Sequence, residues 1–264
     1  MSDLPLSRTD KSTFPPRTPW RPGFPEVVIH ATVAARDRHA DYAAAKAGDA
    51  GSALTLSRDL LSRVAIDTLE SLVGAPGAVL LPVTAVELAG FNAIPDAMAQ
   101  IIALTLGWRL SAGEVLQNNR VGHTRAAAFN RFVTPAAFDG PVEADSNYVL
   151  VDDHVGLGGT LANLKGYIES AGGRVVAMTT LTESREARHI ALHSTNLEML
   201  RMRHGEELEK FWTEQFGYGL DCLTNVEGAI LRRELSVDSI RNRLAQGAVE
   251  ARGRGLLPAV GFDD

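Results

Sequence analysis

Two short apolar runs, Tyr148-Val149-Leu150-Val151 and residues 175–181, constrain the fold of this chain more than anything else in it. Each is continuous and rich in β-branched residues, as a strand buried on both faces must be. Between them Gly156, Gly158 and Gly159 make a turn, and Leu161, Leu164, Ile168 and Ala171 mark one face of a helix that Gly172-Gly173 closes. Strand, helix and strand at this spacing form a βαβ unit, so the sheet is parallel and the crossover right-handed. The fold class is α/β.

The neighbouring segments extend that sheet. Ala78-Val79-Leu80-Leu81 follows the turn Gly74-Ala75-Pro76-Gly77 and reads as another buried strand. Pro95 suits the first turn of a helix over residues 96–106, which buries Met98, Ile101, Ile102 and Leu106 and stops at Gly107. A further strand begins at Trp108-Arg109-Leu110. Upstream, residues 31–46 and 53–72 read as helices, the second with Leu56, Leu60, Val64, Ile66 and Leu69 near helical spacing. Pro5, Pro15, Pro16, Pro19, Pro22 and Pro25 make the first 25 residues a disordered arm. Beyond Thr182 the pattern is helical, with capping boxes predicted at Thr195/Glu198 and Thr224/Glu227. The expected organisation is a disordered arm (1–25), an N-terminal helical extension (26–73), an α/β core (74–183) and a C-terminal helical region (184–264).

Charge and cysteine content narrow the function classes. With 26 Lys and Arg against 32 Asp and Glu the net charge is −6, a poor basis for gripping nucleic acid, and no direct nucleic-acid binding is expected. The single Cys222 allows no internal disulfide framework and no Cys-rich zinc site. The first residues lack the apolar core of a secretory signal, and no run approaches the roughly 20 apolar residues of a membrane span. The expectation is a soluble cytoplasmic protein without a membrane partner.

Chemistry concentrates in Val149-Leu150-Val151-Asp152-Asp153-His154-Val155-Gly156-Leu157-Gly158-Gly159-Thr160. Its turn joins the C-terminal end of a strand to the start of a helix, the edge at which open parallel sheets bind ligands. The helix start offers unpaired N–H groups and the positive end of its dipole. Three glycines let the backbone aim successive N–H groups at a phosphate, and Thr160 adds a hydroxyl. Two carboxylates beside a phosphate would repel it unless something between them needs acceptors. The vicinal hydroxyls of a sugar have that need, and Mg²⁺ would relieve the remaining repulsion. The combination reads as a site for ribose 5-phosphate. A P-loop is excluded because no Gly-Lys pair occurs, and a dinucleotide fingerprint fails because Leu161 replaces the third glycine. The plainer alternative is a tight strand–helix turn with solvated aspartates.

The string VLVDDHVGLGGTL resembles the phosphoribosyl-pyrophosphate (PRPP) binding motif of type I phosphoribosyltransferases: four hydrophobic residues, two acids, a short turn and Gly-Gly-Thr. The likeness spans about residues 77–182. It implies a parallel sheet flanked by helices, with helical extensions at both ends as this chain's own addition. It implies that Asp152 and Asp153 hold the ribose hydroxyls and touch Mg²⁺ indirectly, through those hydroxyls or water. Val155, Gly156, Leu157, Gly158, Gly159 and Thr160 would hold the 5′-phosphate. Thr84 and Ala85, after the first core strand, would meet the diphosphate. Arg120 and Arg125, within the long polar stretch 113–146, would close over the leaving group and join the two acids as catalytic residues; Arg131 is a further available cation, and His123 in the same stretch has no assigned role.

The sequence also departs from the motif. Gly156 and Leu157 stand where Thr or Ser often add hydroxyls, and residues 83–87 hold no base but carry Glu87. Two readings therefore stay open. One is a transferase moving ribose 5-phosphate from PRPP to an unidentified base. The other is a catalytically weak or inactive PRPP- or nucleotide-binding module that acts through a partner protein. A homodimer is the default assembly.

Overall fold

The computed structural model describes residues 14–87, 90–119 and 128–257. The N-terminal part contains β1 (Val28–Ile29) and helices α1 (Val33–Arg38), α2 (Tyr42–Lys46), α3 (Ala50–Leu60) and α4 (Arg63–Val73). The middle holds β2 (Val79–Pro82), β3 (Thr84–Glu87), β4 (Gly90–Phe91), α5 (Ile94–Leu106), β5 (Arg109–Leu110), β6 (Leu116–Gln117), α6 (Ala128–Val133) and β7 (Phe138–Asp139). Then come β8 (Asn147–Val155), α7 (Gly159–Ser170) and β9 (Arg174–Glu183), followed by α8 (Ser194–Phe216), α9 (Asn225–Arg233) and α10 (Val237–Gly253).

The main sheet has the order β1-β9-β8-β2-β5 and is parallel throughout. Alternation along the central strands sorts their side chains between two cores. Leu80, Val149 and Val151 face α3, α4 and α5, where Leu56, Leu69, Met98 and Ile102 are buried. Leu81, Tyr148 and Leu150 face α7, against Leu161, Leu164 and Ile168. The predicted α/β architecture, a parallel sheet with helices on both faces and helical regions at both ends, is the observed one. A smaller sheet, β4-β3-β6-β7, sits beside it.

Several local expectations are corrected. Residues 31–46 form two short helices, and residues 53–72 are divided between α3 and α4. Ser62 causes the second break: its hydroxyl accepts from Ala65 N–H, starting a new helix, while its own N–H donates to His30 Nδ1. Thr224/Glu227 is a true capping box, whereas α8 starts at Ser194 behind His193, so Thr195 caps nothing.

Residues 14–25, expected to be disordered, are instead a strap packed across α7. Pro16 O lies 2.0 Å from where a Cβ on Gly166 would be, so α7 must carry glycine at that crossing. Trp20 and Phe24 join the α7-side core, and Phe14 packs edge-on against Phe216. The buried Lys165 ammonium fastens the strap through Thr18 Oγ1 and Pro19 O. Proline restricts the strap without disordering it, because its apolar residues have a core to enter.

A third core belongs to the C-terminal helices: Leu208, Trp212 and Phe216 of α8 with Ile240 and Leu244 of α10. Phe129 and Phe132 of α6 enter it too, so this region anchors the chain just beyond residues 120–127. Among the described residues no helix is long and apolar enough to cross a membrane.

Candidate functional site

The sheet topology opens a crevice at β8. From β2 the chain crosses through α5 to β5 on one side, and from β8 it crosses through α7 to β9 on the other, so β2 and β8 flank a switch point. Pairing of β2 with β8 ends at Pro82 and Val151, while β8 runs on beside β9 to Val155. Asp152 and Asp153 therefore lie within the strand, at the point where its neighbour on one side departs.

A cavity of about 390 Å³ lies there, within the size range of small-molecule sites. Both acids, every residue from His154 to Leu161, and Val83 and Ala85 line it, together with Arg17, Arg36, Lys46, Arg131 and Glu227. Sequence reasoning had brought Asp152, Asp153, Val155, Gly156, Leu157, Gly158, Gly159, Thr160 and Ala85 to one site, and all of them border this cavity. Thr84 does not. Strand alternation turns its side chain to the far side of β3, beside Phe91, Asp96 and Leu116. Arg120, Arg125 and His123 lie outside the described residues.

The two acids are in different electrostatic states. Lys46 Nζ donates to Asp153 Oδ2 at 2.9 Å. Burial favours the neutral acid at Asp153, but the Lys46 ammonium outweighs it and holds this carboxyl below the usual range. Asp152 accepts the Asp153 backbone N–H at 2.8 Å; burial first, and the Asp153 charge second, push its carboxyl well above the usual range. The two neighbouring carboxyls are thus shifted in opposite directions. His154 bridges Thr182 Oγ1 and Ser184 Oγ at 2.9 and 3.0 Å, and burial, then the Arg36 charge, keep it neutral.

The bend is built by close approach. Gly158 has φ 80°, and a Cβ there would meet Thr224 Cγ2 at 3.0 Å and Ile190 Cγ1 at 3.1 Å. A Cβ on Gly159 would meet Glu227 Oε1 at 2.9 Å and Arg17 Nη2 at 3.3 Å. Thr224 Oγ1 donates to Leu157 O at 2.5 Å, tying α9 to the bend. The N–H groups of Gly159, Thr160 and Leu161 start α7 and have no partner within it, and Gly158 supplies no side-chain cap. Arg17 and Glu227 form a two-pronged ion pair at 2.6 and 3.0 Å beside those groups, each side chain 4% exposed.

The charge balance points to an anionic ligand. Four basic side chains line the cavity against three acidic ones, Asp152, Asp153 and Glu227, in a chain of net charge −6. Among the described residues no group of three or more His, Cys, Asp or Glu gathers to hold a metal ion. Sequence reasoning missed Arg17, Arg36, Lys46 and Glu227 as site residues. Glu227 was legible only as a capping residue, and the three cations carry no local signal, because tertiary packing alone brings them to β8.

No family model matches the chain. It is 38% identical over 238 residues to Protein TraN of Escherichia coli, covering 90% of this chain and 53% of TraN. It is 36% identical over 152 residues to an uncharacterized protein of Haemophilus influenzae, covering 58% of this chain and 34% of that protein. The chain thus spans about half or less of the length of these curated relatives. Among solved structures it is similar to an adenine phosphoribosyltransferase (16% identity, 51% of this chain and 71% of the other, TM-score 0.34) and to that of Leishmania tarentolae (20%, 56% and 76%, TM-score 0.32). It is also similar to UMP synthase of Leishmania donovani (15%, 74% and 33%, TM-score 0.30). Superpositions this loose say nothing of chemistry, which has to come from the site itself.

Proposed function

We propose that the chain binds a ribose 5-phosphate ester, PRPP being the ligand that suits it best, and transfers its phosphoribosyl group to a base as type I phosphoribosyltransferases do. One observation carries this reading: the acid pair and the glycine bend at the start of α7 border the same cationic cavity. The N–H groups of the bend supply donors for a phosphate, and the adjacent acids supply acceptors for vicinal hydroxyls. Asp152, with its carboxyl shifted up, and Asp153, with its carboxyl shifted down, each offer side-chain oxygens to a sugar hydroxyl.

In the transfer, the bond from ribose C1 to the diphosphate breaks and the diphosphate leaves with the electron pair. A base nitrogen then bonds to C1 and gives up its proton. The chain's part is to orient the ring, exclude water and neutralise the leaving group. Lys46 and Arg36 are the described cations beside the acids, and Arg120 and Arg125 are proposed to add to them. Asp152 and Asp153 are by themselves poor ligands for Mg²⁺, because Lys46 already pairs with one and burial disfavours charge on the other. Mg²⁺ belongs to this reading only as the ion a diphosphate brings, reaching the acids through hydroxyls or water.

The Lys46–Asp153 ion pair favours a second reading, a PRPP- or nucleotide-binding module with little turnover that acts through a partner protein, since a resident cation already satisfies one acid. Incubation with PRPP, Mg²⁺ and a panel of bases separates the two. Pyrophosphate release supports transfer, and binding without release supports the module. Under either reading D152N/D153N abolishes PRPP binding by calorimetry, and unchanged affinity would discard the site.

A further inference from the structure

Gly156 and Leu157 deprive the bend of two hydroxyls, yet the bend does not lack donors. Arg131 Nη1, from α6, lies 3.6 Å from the position a Cβ on Gly156 would take. Arg17 Nη2, from the strap, lies 3.3 Å from the corresponding point at Gly159. These guanidinium groups approach the bend from segments on either side of it in the fold, and both line the cavity.

The hydrogen bonds of Arg17 fix its plane. Nε donates to Asn163 Oδ1 at 2.6 Å, Nη1 to Glu227 Oε2 and Cys222 O at 2.6 and 3.5 Å, and Nη2 to Glu227 Oε1 at 3.0 Å. Five N–H groups less these four bonds leave one, on Nη2, the atom beside Gly159. Glu227 thus acts as a resident counter-ion that aims Arg17 without consuming its last donor.

We propose that Arg131 and Arg17 bind the terminal phosphate of the ligand at the 156–160 bend, in place of the missing turn hydroxyls. The inference rests on the ribose-phosphate reading above and changes the part given to Arg131, which the sequence had offered only as a cation for the leaving group. A phosphomonoester carries between one and two negative charges near neutral pH, and planar guanidinium groups meet its oxygens with paired donors. Glu227 already balances the charge of Arg17, so replacing Arg17 and Glu227 together is expected to have the smaller effect.

Calorimetry on the full chain tests this, with ribose 5-phosphate and inorganic pyrophosphate as separate probes. R131Q should weaken ribose 5-phosphate about 10- to 100-fold, the range for losing a charged hydrogen bond, and leave pyrophosphate unchanged. R131K should recover part of the loss, since lysine restores the charge without the fork. R17Q/E227Q removes both buried charges together and should weaken ribose 5-phosphate about 10-fold; its melting curve verifies that the strap is still docked. If R131Q and R17Q/E227Q bind ribose 5-phosphate as tightly as the unaltered chain, the proposal falls and the ribose-phosphate reading stands. Loss of pyrophosphate binding alone in R131Q also overturns it and returns Arg131 to the leaving group. If the unaltered chain binds neither PRPP nor ribose 5-phosphate, both fall.

Discussion

The acid pair and the glycine bend are separated by two residues, His154 and Val155, yet their charges are compensated in opposite ways. At the acid pair the partner is Lys46, whose side chain is 31% exposed, on a short helix at the rim of the cavity. At the bend the partners are Arg17 and Glu227, from near opposite ends of the chain and almost fully buried. Asp153 is buried, but Lys46 reaches it from the rim, where ligand and solvent can compete for its ammonium. A buried pair is different: losing either member strands a charge in a low-dielectric interior. The acid end is therefore the adjustable part of the site, and the bend is the part on which the strap and C-terminal helices close.

The largest expected effect breaks this contrast at its buried end. R17M leaves the Glu227 carboxylate unpaired and should cost about 3–5 kcal/mol of stability in urea denaturation, with most of it regained in R17M/E227L. A loss below about 1 kcal/mol, the size of a surface pair, would erase the distinction between the two ends. Next in size is G158A. The left-handed backbone at this residue should cost about 1–2 kcal/mol, and the close Thr224 methyl group adds to it. An unchanged melting temperature would mean that α9 does not press on the bend.

The subtlest effect concerns pH. Asp152 has a raised carboxyl pKa when folded, so above about pH 4 the unfolded chain releases this proton first and stability declines until the folded pKa is passed. Asp153 works in the other direction, stabilising above its unfolded pKa and losing that contribution as the pH falls through its lower folded one. The stability of D152N relative to the unaltered chain should therefore rise with pH from about 4 and then level off. Denaturation curves taken across the acid range measure the slope, and a difference independent of pH would show that Asp152 titrates normally.

Much of the core was readable because its signals are local. Tyr148 to Val151 and the run from 175 announce buried strands by their own composition, and Gly172-Gly173 ends α7 where the pattern stops. The bend was readable for the same reason, since glycines, acids and threonine follow one another in the chain. The strap reads as disorder because its five prolines show no periodicity when Trp20, Phe24 and Lys165 are considered apart. Lys46 and Arg36 have Asp37 and Asp41 close by in sequence, so nothing local ties either cation to β8.

The amino-acid order by itself determined a parallel α/β unit with a phosphate-suited turn and two acids before it, because hydrophobic period and backbone freedom are properties of neighbouring residues. Tertiary structure alone decided which charges meet that turn. Ion pairing acts through space, so Arg17 and Glu227, 210 residues apart, became partners only when the strap and α9 met at the start of α7.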